Sequence, residues 1–99
     1  MARFDIHKVE GVAGYLLDCQ ADLLDHFTTR AVVPLIPATQ TPPAMARLHP
    51  TFEIEGGAFV MATHLIGSVP TRELGETVAS LANHDSEILA ALDMLISGF

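Results

Sequence analysis

The first residues alternate. Ala2, Phe4 and Ile6 fall on one side and Arg3, Asp5 and His7 on the other, the period of a half-buried strand. Gly11 to Gly14 reads as a turn, and Tyr15 to Gln20 as a second strand with Tyr15, Leu17 and Cys19 on one face. The next stretch, Ala21–Asp22–Leu23–Leu24–Asp25–His26–Phe27, sets two consecutive leucines among acids. It is too short for a helix of its own and predicts an ordered loop with exposed apolar residues. Arg30 to Ile36 is a third strand. Pro34 within it points to an edge position or a bulge, because proline cannot donate to the ladder. Pro37 to Pro43 is a loop, and Ala44 to Leu48 is a candidate for one turn of helix.

Thr51 to Glu55 and Ala58 to Thr63 flank Gly56-Gly57, a pair that tolerates the positive φ of a type I′ hairpin turn. A hairpin closed on that pair sets Glu55 opposite Ala58, Ile54 opposite Phe59 and Phe52 opposite Met61. Phe52, Ile54, Phe59 and Met61 then share one core-facing side, and a one-residue slip would scatter them. After Ser68–Val69–Pro70 the pattern changes. Thr71 to Val78 fits either a turn with a short strand or a helix interrupted by Gly75. From about Asn83 to Ser97 the spacing predicts a helix, with Asn83 as N-cap and Asp85 and Glu87 in the first turn, where the dipole favours acids. Ile88, Leu92, Leu95, Ile96 and Phe99 fall within about 100° of one another on the helical wheel. Leu89 widens that stripe at one edge, Ala91 and Met94 at the other. It is wider than packing on one sheet requires, and the surplus suits a dimer interface or a partner site.

The chain has 99 residues, 49% of them hydrophobic and 17% charged. It is expected to form a single domain, residues 1–99, which buries only about 60–65% of its unfolded surface. Its apolar surplus favours association, most simply as a homodimer. Five basic against twelve acidic residues give a net charge of -7, so no direct nucleic-acid binding is expected. Cys19 is alone, so no internal disulfide forms. The opening residues do not read as a signal peptide and no apolar run approaches the length of a membrane span, so the expected location is cytoplasmic, away from the membrane.

Candidate chemistry is sparse. His7, His26, His49, His64 and His84 form no i, i+4 pair and none lies near Cys19 with zinc-type spacing, so they read as surface or loop histidines. Cys19 reads as an inert packed thiol. Glu53 and Glu55 sit two apart on a solvated face, which does not suit acid–base work. No nucleophile elbow and no glycine-rich phosphate loop is present, so no catalytic residues, metal or cofactor are expected. The chain closes on Ile96–Ser97–Gly98–Phe99. Phe99 either packs into the core or a dimer interface, or stands out as an aromatic anchor for a partner.

Several segments, in order, resemble the CcdB family of bacterial toxins. They are Asp18–Cys19–Gln20–Ala21–Asp22–Leu23–Leu24–Asp25, Arg30–Ala31–Val32–Val33–Pro34–Leu35, Leu48–His49–Pro50 with Phe52–Glu53–Ile54, Ser68–Val69–Pro70 with Gly75–Glu76–Thr77–Val78, and the closing helix through Gly98. The similarity runs from about Phe4 to Phe99. It implies an α+β, mainly β fold: a twisted antiparallel, partly barrel-like sheet of the CcdB/MazF type with one long C-terminal helix, as a homodimer. It also implies the toxin of a type II toxin–antitoxin module, which binds the A subunit of DNA gyrase, traps the gyrase–DNA cleavage complex, and is neutralised by a cognate CcdA-like antitoxin. Such a toxin is no enzyme and acts by binding. The family's gyrase-contacting positions fall on Leu23, Leu24, Asp93, Ile96, Ser97, Gly98 and Phe99; the antitoxin-contacting positions are not assigned. Ser97 stands where the family presents a tryptophan that stacks on gyrase, and Asp93 where it tends to have a neutral amide. Three explanations stay open: Phe99 takes over the stacking, the target differs, or poisoning is weakened or lost. The related MazF/Kid family shares the fold and cuts RNA. A ribonuclease reading would rest on Arg30 beside Thr28 and Thr29, with the acidic net charge against it.

Overall fold

A computed structural model describes residues 2–11 and 13–98. Seven strands run β1 (Asp5–Lys8), β2 (Tyr15–Asp18), β3 (Thr29–Pro37), β4 (Thr51–Ile54), β5 (Gly57–Met61), β6 (Gly67–Pro70) and β7 (Thr77–Ser80), followed by the helix α1 (Asp85–Ser97). The sheet is antiparallel with the order β4-β5-β3-β2-β1-β7, and β6 also pairs with β3. It curls around one face, and α1 closes that face. The mainly β architecture with a single C-terminal α-helix is the one expected.

Nine-residue β3 organises the sheet. One side pairs with β2 throughout Val32–Leu35; the other pairs with β6 over Thr29–Val32 and with β5 over Leu35–Pro37. Pro34 therefore lies in a central strand, not at an edge or in a bulge. Its carbonyl accepts the Ala62 N–H at 2.9 Å. In an antiparallel strand a residue's N–H and C=O point the same way, so the donor that proline lacks would point into the gap between β5 and β6. No ladder bond is lost there. β6 itself is absent from the sequence reading, and the ambiguous Thr71–Val78 stretch resolves into a 3-10 turn, Thr71–Glu73, and the start of β7.

The β4–β5 hairpin closes one residue earlier than expected. Ile54 pairs with Gly57, Glu53 with Ala58 and Phe52 with Phe59. Glu55 and Gly56 make the turn, with φ of 50° and 83°, the positive pair a type I′ turn requires. Because moving the turn by one residue shifts each partner by two, facing parity survives. Phe52, Ile54 and Met61 are buried and Phe59 packs against them.

The core joins both ends of the chain: Phe4 before β1 and Ile6, Leu17 and Leu35 from the sheet meet Leu81, Ile88 and Ala91. Burying a side chain such as Ile88 contributes about 2–3 kcal/mol. The N-cap falls one residue later than expected. A 3-10 turn, Ala82–His84, precedes it, and His84 occupies the N-cap position without a side-chain cap bond. Its Nδ1 instead lies 3.1 Å from Glu87 Oε1. The helix ends at Gly98, whose φ of 79° is left-handed and whose N–H bonds the Met94 carbonyl at 3.0 Å. Glycine favours that position because any other L-residue is strained there. No helix among the described residues is long and apolar enough to cross a membrane.

Two histidines depart from the surface reading. His7 is buried on the face opposite Ile6, because the segment entering β7 closes over it and the Gly75 carbonyl accepts from Nδ1 at 3.2 Å. His49 is buried beneath the proline-rich loop, where the Met45 N–H reaches Nδ1 at 3.3 Å and Nε2 lies 2.9 Å from His64 Nδ1.

Candidate functional site

The loop between β2 and β3 presents Leu23 and Leu24 on a short 3-10 turn, Asp22–Leu24. Leu23 is 86% exposed, and Leu24 and Phe27 are also exposed. Such exposure of large apolar groups within one short loop marks an interaction surface more readily than scattered single residues would.

The loop is held from below. At its two feet, Asp18 and Arg30 are buried to 0% and 1% exposure. Asp18 Oδ2 accepts from Arg30 Nη2 at 2.6 Å and from Nε at 3.0 Å, and Oδ1 accepts the Gln20 N–H at 3.0 Å. Gln20 then bridges the loop: its Oε1 accepts the Ala31 N–H at 3.0 Å and its Nε2 donates to the Leu24 carbonyl at 2.8 Å. From the N-terminal side the Arg3 N–H donates to Asp22 Oδ1 at 2.8 Å. The backbone under Leu23 is thus fixed on both sides while its side chain stays in solvent. A surface ordered in advance loses little conformational freedom on docking, and burying one such leucine against a partner contributes about 1.5–3 kcal/mol.

The helix end is the second exposed element. The stripe that enters the core is Ile88 and Ala91, flanked by half-buried Leu92 and Leu95. Ile96, expected inside that stripe, is 79% exposed. Leu89, Asp93 and Ile96 follow i, i+4, i+7 spacing and form one strip, and all three are exposed, as are Ser97 and Gly98 beyond them. Phe99 lies outside the described residues. Loop and helix end each expose apolar side chains of the protomer. Leu89 and Phe27 were not singled out as site residues. Leu89 carried a signal as the edge of an over-wide stripe; Phe27 was legible only as part of an apolar loop.

Arg30, on which the ribonuclease reading rested, is locked against Asp18 and cannot reach a phosphodiester in this arrangement. Burial, reinforced by the neighbouring Asp18 charge, pushes the Cys19 thiol up to about 12, which leaves it an unreactive packing group. Among the described residues no cluster of three or more His, Cys, Asp or Glu could hold a metal ion.

A family model described as CcdB protein matches residues 3–98. Among solved structures, one described as an endoribonuclease in complex with its cognate antitoxin from Mycobacterial species superimposes with a TM-score of 0.75. That match covers 97% of this chain and 94% of the other at 14% sequence identity, and it shows a shared fold.

Proposed function

The chain belongs to the CcdB family, and from that premise we propose that it is the toxin of a type II toxin–antitoxin module, acting by binding alone. Its proposed target is the A subunit of DNA gyrase, which it holds in the cleaved-DNA state as a homodimer. A cognate CcdA-like antitoxin neutralises it. The observation that carries this reading is the Leu23 loop: an exposed apolar anchor on a backbone fixed by the Asp18–Arg30–Gln20 network. Such a device serves docking, since it offers apolar area on a rigid backbone. The Ile96–Ser97–Gly98 tip of each helix supplies the second contact in the dimer.

Ser97 sets the strength of that contact. Truncating a hot-spot tryptophan costs about 2–4 kcal/mol, or roughly 30- to 1000-fold in affinity. Ser97 is exposed, so Ser97→Trp should fold normally and strengthen gyrase poisoning. The test is induced expression in a bacterial host, combined with a DNA-cleavage assay on purified gyrase. Growth arrest and accumulated cleavage complexes, both stronger in Ser97→Trp, are expected. Unimpaired growth with no cleavage complex from either form overturns the gyrase reading.

The endoribonuclease reading draws support from the fold of the solved neighbour. It lacks its arginine, because Arg30 is buried in an ion pair. Incubation of the purified protein with total RNA separates the two: intact RNA is expected, and cleavage lost on substitution of a named residue would favour the nuclease.

A further inference from the structure

Just past the first β3–β6 pair, Thr29 with Pro70, the surface forms an open, shallow cavity of about 450 Å³ lined by Phe27, Thr28, Thr71 and Arg72. The Thr71 N–H donates to the Thr28 carbonyl at 2.8 Å, so a backbone bond fixes the two threonines relative to each other. Phe27 is half-exposed and braced edge-on by His26, with ring centroids 4.7 Å apart. Thr71 Oγ1 is buried with no hydrogen-bond partner. Arg72 is exposed and makes no ion pair among the described residues. The other arginines near the loop are engaged: Arg30 with Asp18, and Arg3 over the Phe4 ring at 4.6 Å.

We propose that this cavity binds a carboxylate side chain of a partner peptide, flanked by apolar residues. A guanidinium matches a carboxylate in two parallel hydrogen bonds, and Arg72 is exposed and free to make them. The Phe27 ring covers the apolar neighbour of the acid. The charge of the whole chain decides between a carboxylate and a nucleic-acid phosphate. A net charge of -7 repels a polyanion along its length, whereas a single acid can pair directly with Arg72. The cavity is continuous with the exposed loop, since Phe27 belongs to both. The assignment rests on the loop being a docking surface and is independent of which protein docks there.

The experiment titrates isotope-labelled protein by NMR with three probes: acetyl-Leu-Glu-Leu-amide, acetyl-Leu-Gln-Leu-amide and hexauridine. The glutamate peptide should shift the amides of Phe27, Thr28, Thr71 and Arg72 saturably. The glutamine peptide should bind at least about tenfold more weakly, which is about 1.4 kcal/mol. R72Q should bring the glutamate peptide down to that level with an unchanged unfolding midpoint. Equal binding of the two peptides, shifts confined to other residues, no saturable shift, or tighter binding of hexauridine at these amides would overturn the proposal. None of these outcomes bears on growth arrest, so the toxin reading stands or falls separately.

Discussion

Removing one partner of the Asp18–Arg30 pair should be far more damaging than removing both. Each group is buried to within 1% and the two share charge-assisted bonds of 2.6 and 3.0 Å. Arg30→Met leaves the Asp18 carboxylate buried and uncompensated, a loss of about 3–5 kcal/mol. A domain of this size has roughly 5–15 kcal/mol in total, so the unfolding midpoint should fall by at least about 12 °C. Asp18→Leu should behave alike, and should also free the Gln20 N–H that Asp18 Oδ1 accepts. The double variant Asp18→Leu/Arg30→Met removes both charges and should recover most of the loss, since apolar replacements of a buried pair are often neutral or better. Urea unfolding of the four proteins at fixed protomer concentration measures the cycle. A single-variant loss under about 1 kcal/mol, or no recovery in the double variant, would refute the reasoning that this pair is dry and holds the loop's base.

Gln20→Ala removes the bridge to Leu24 and Ala31. It should speed amide exchange at Ala31 and through the Asp22–Leu24 turn while lowering stability by only about 1 kcal/mol; unchanged exchange there would refute its bracing role. Burial, with the neighbouring His64, holds His49 below its ordinary value of 6.5. The neutral form is therefore the one that folds. Its contribution is complete above pH 6.5 and is lost as the pH falls below that value, because the unfolded chain takes up a proton that the folded one resists. The urea midpoint should drop between about pH 7.5 and about pH 5, and His49→Gln should flatten that drop; an identical slope in the variant would refute the assignment.

Much of this was legible because short-range patterns decide it. The core side of the β4–β5 hairpin follows from alternation, and parity preserved it although the turn moved from Gly56-Gly57 to Glu55-Gly56. The exposed leucines followed from a loop too short to hide them. What escaped depends on distant partners. β6 carries a glycine and a proline in four residues and is a strand only because β3 is long enough to pair with it beyond the end of β5. The Asp18–Arg30 pair was hidden by the expectation that charges lie outside. The sign was a diagonal one: Asp18 pairs with Val32, which places Arg30 two residues along the same face, within reach across the ladder. Ile96 lies outside the core because the buried side of α1 runs through Ile88 and Ala91, which turns the Leu89 and Ile96 edge of the stripe to solvent.

The most direct test of the whole account measures binding of the purified protein to the gyrase A subunit by calorimetry, with Leu23→Asp and Ile96→Asp beside the parent. Both side chains are largely exposed, so all three proteins should unfold at the same temperature. Saturable binding by the parent and its loss in both variants are expected. Binding of either variant with the parent's affinity would contradict it.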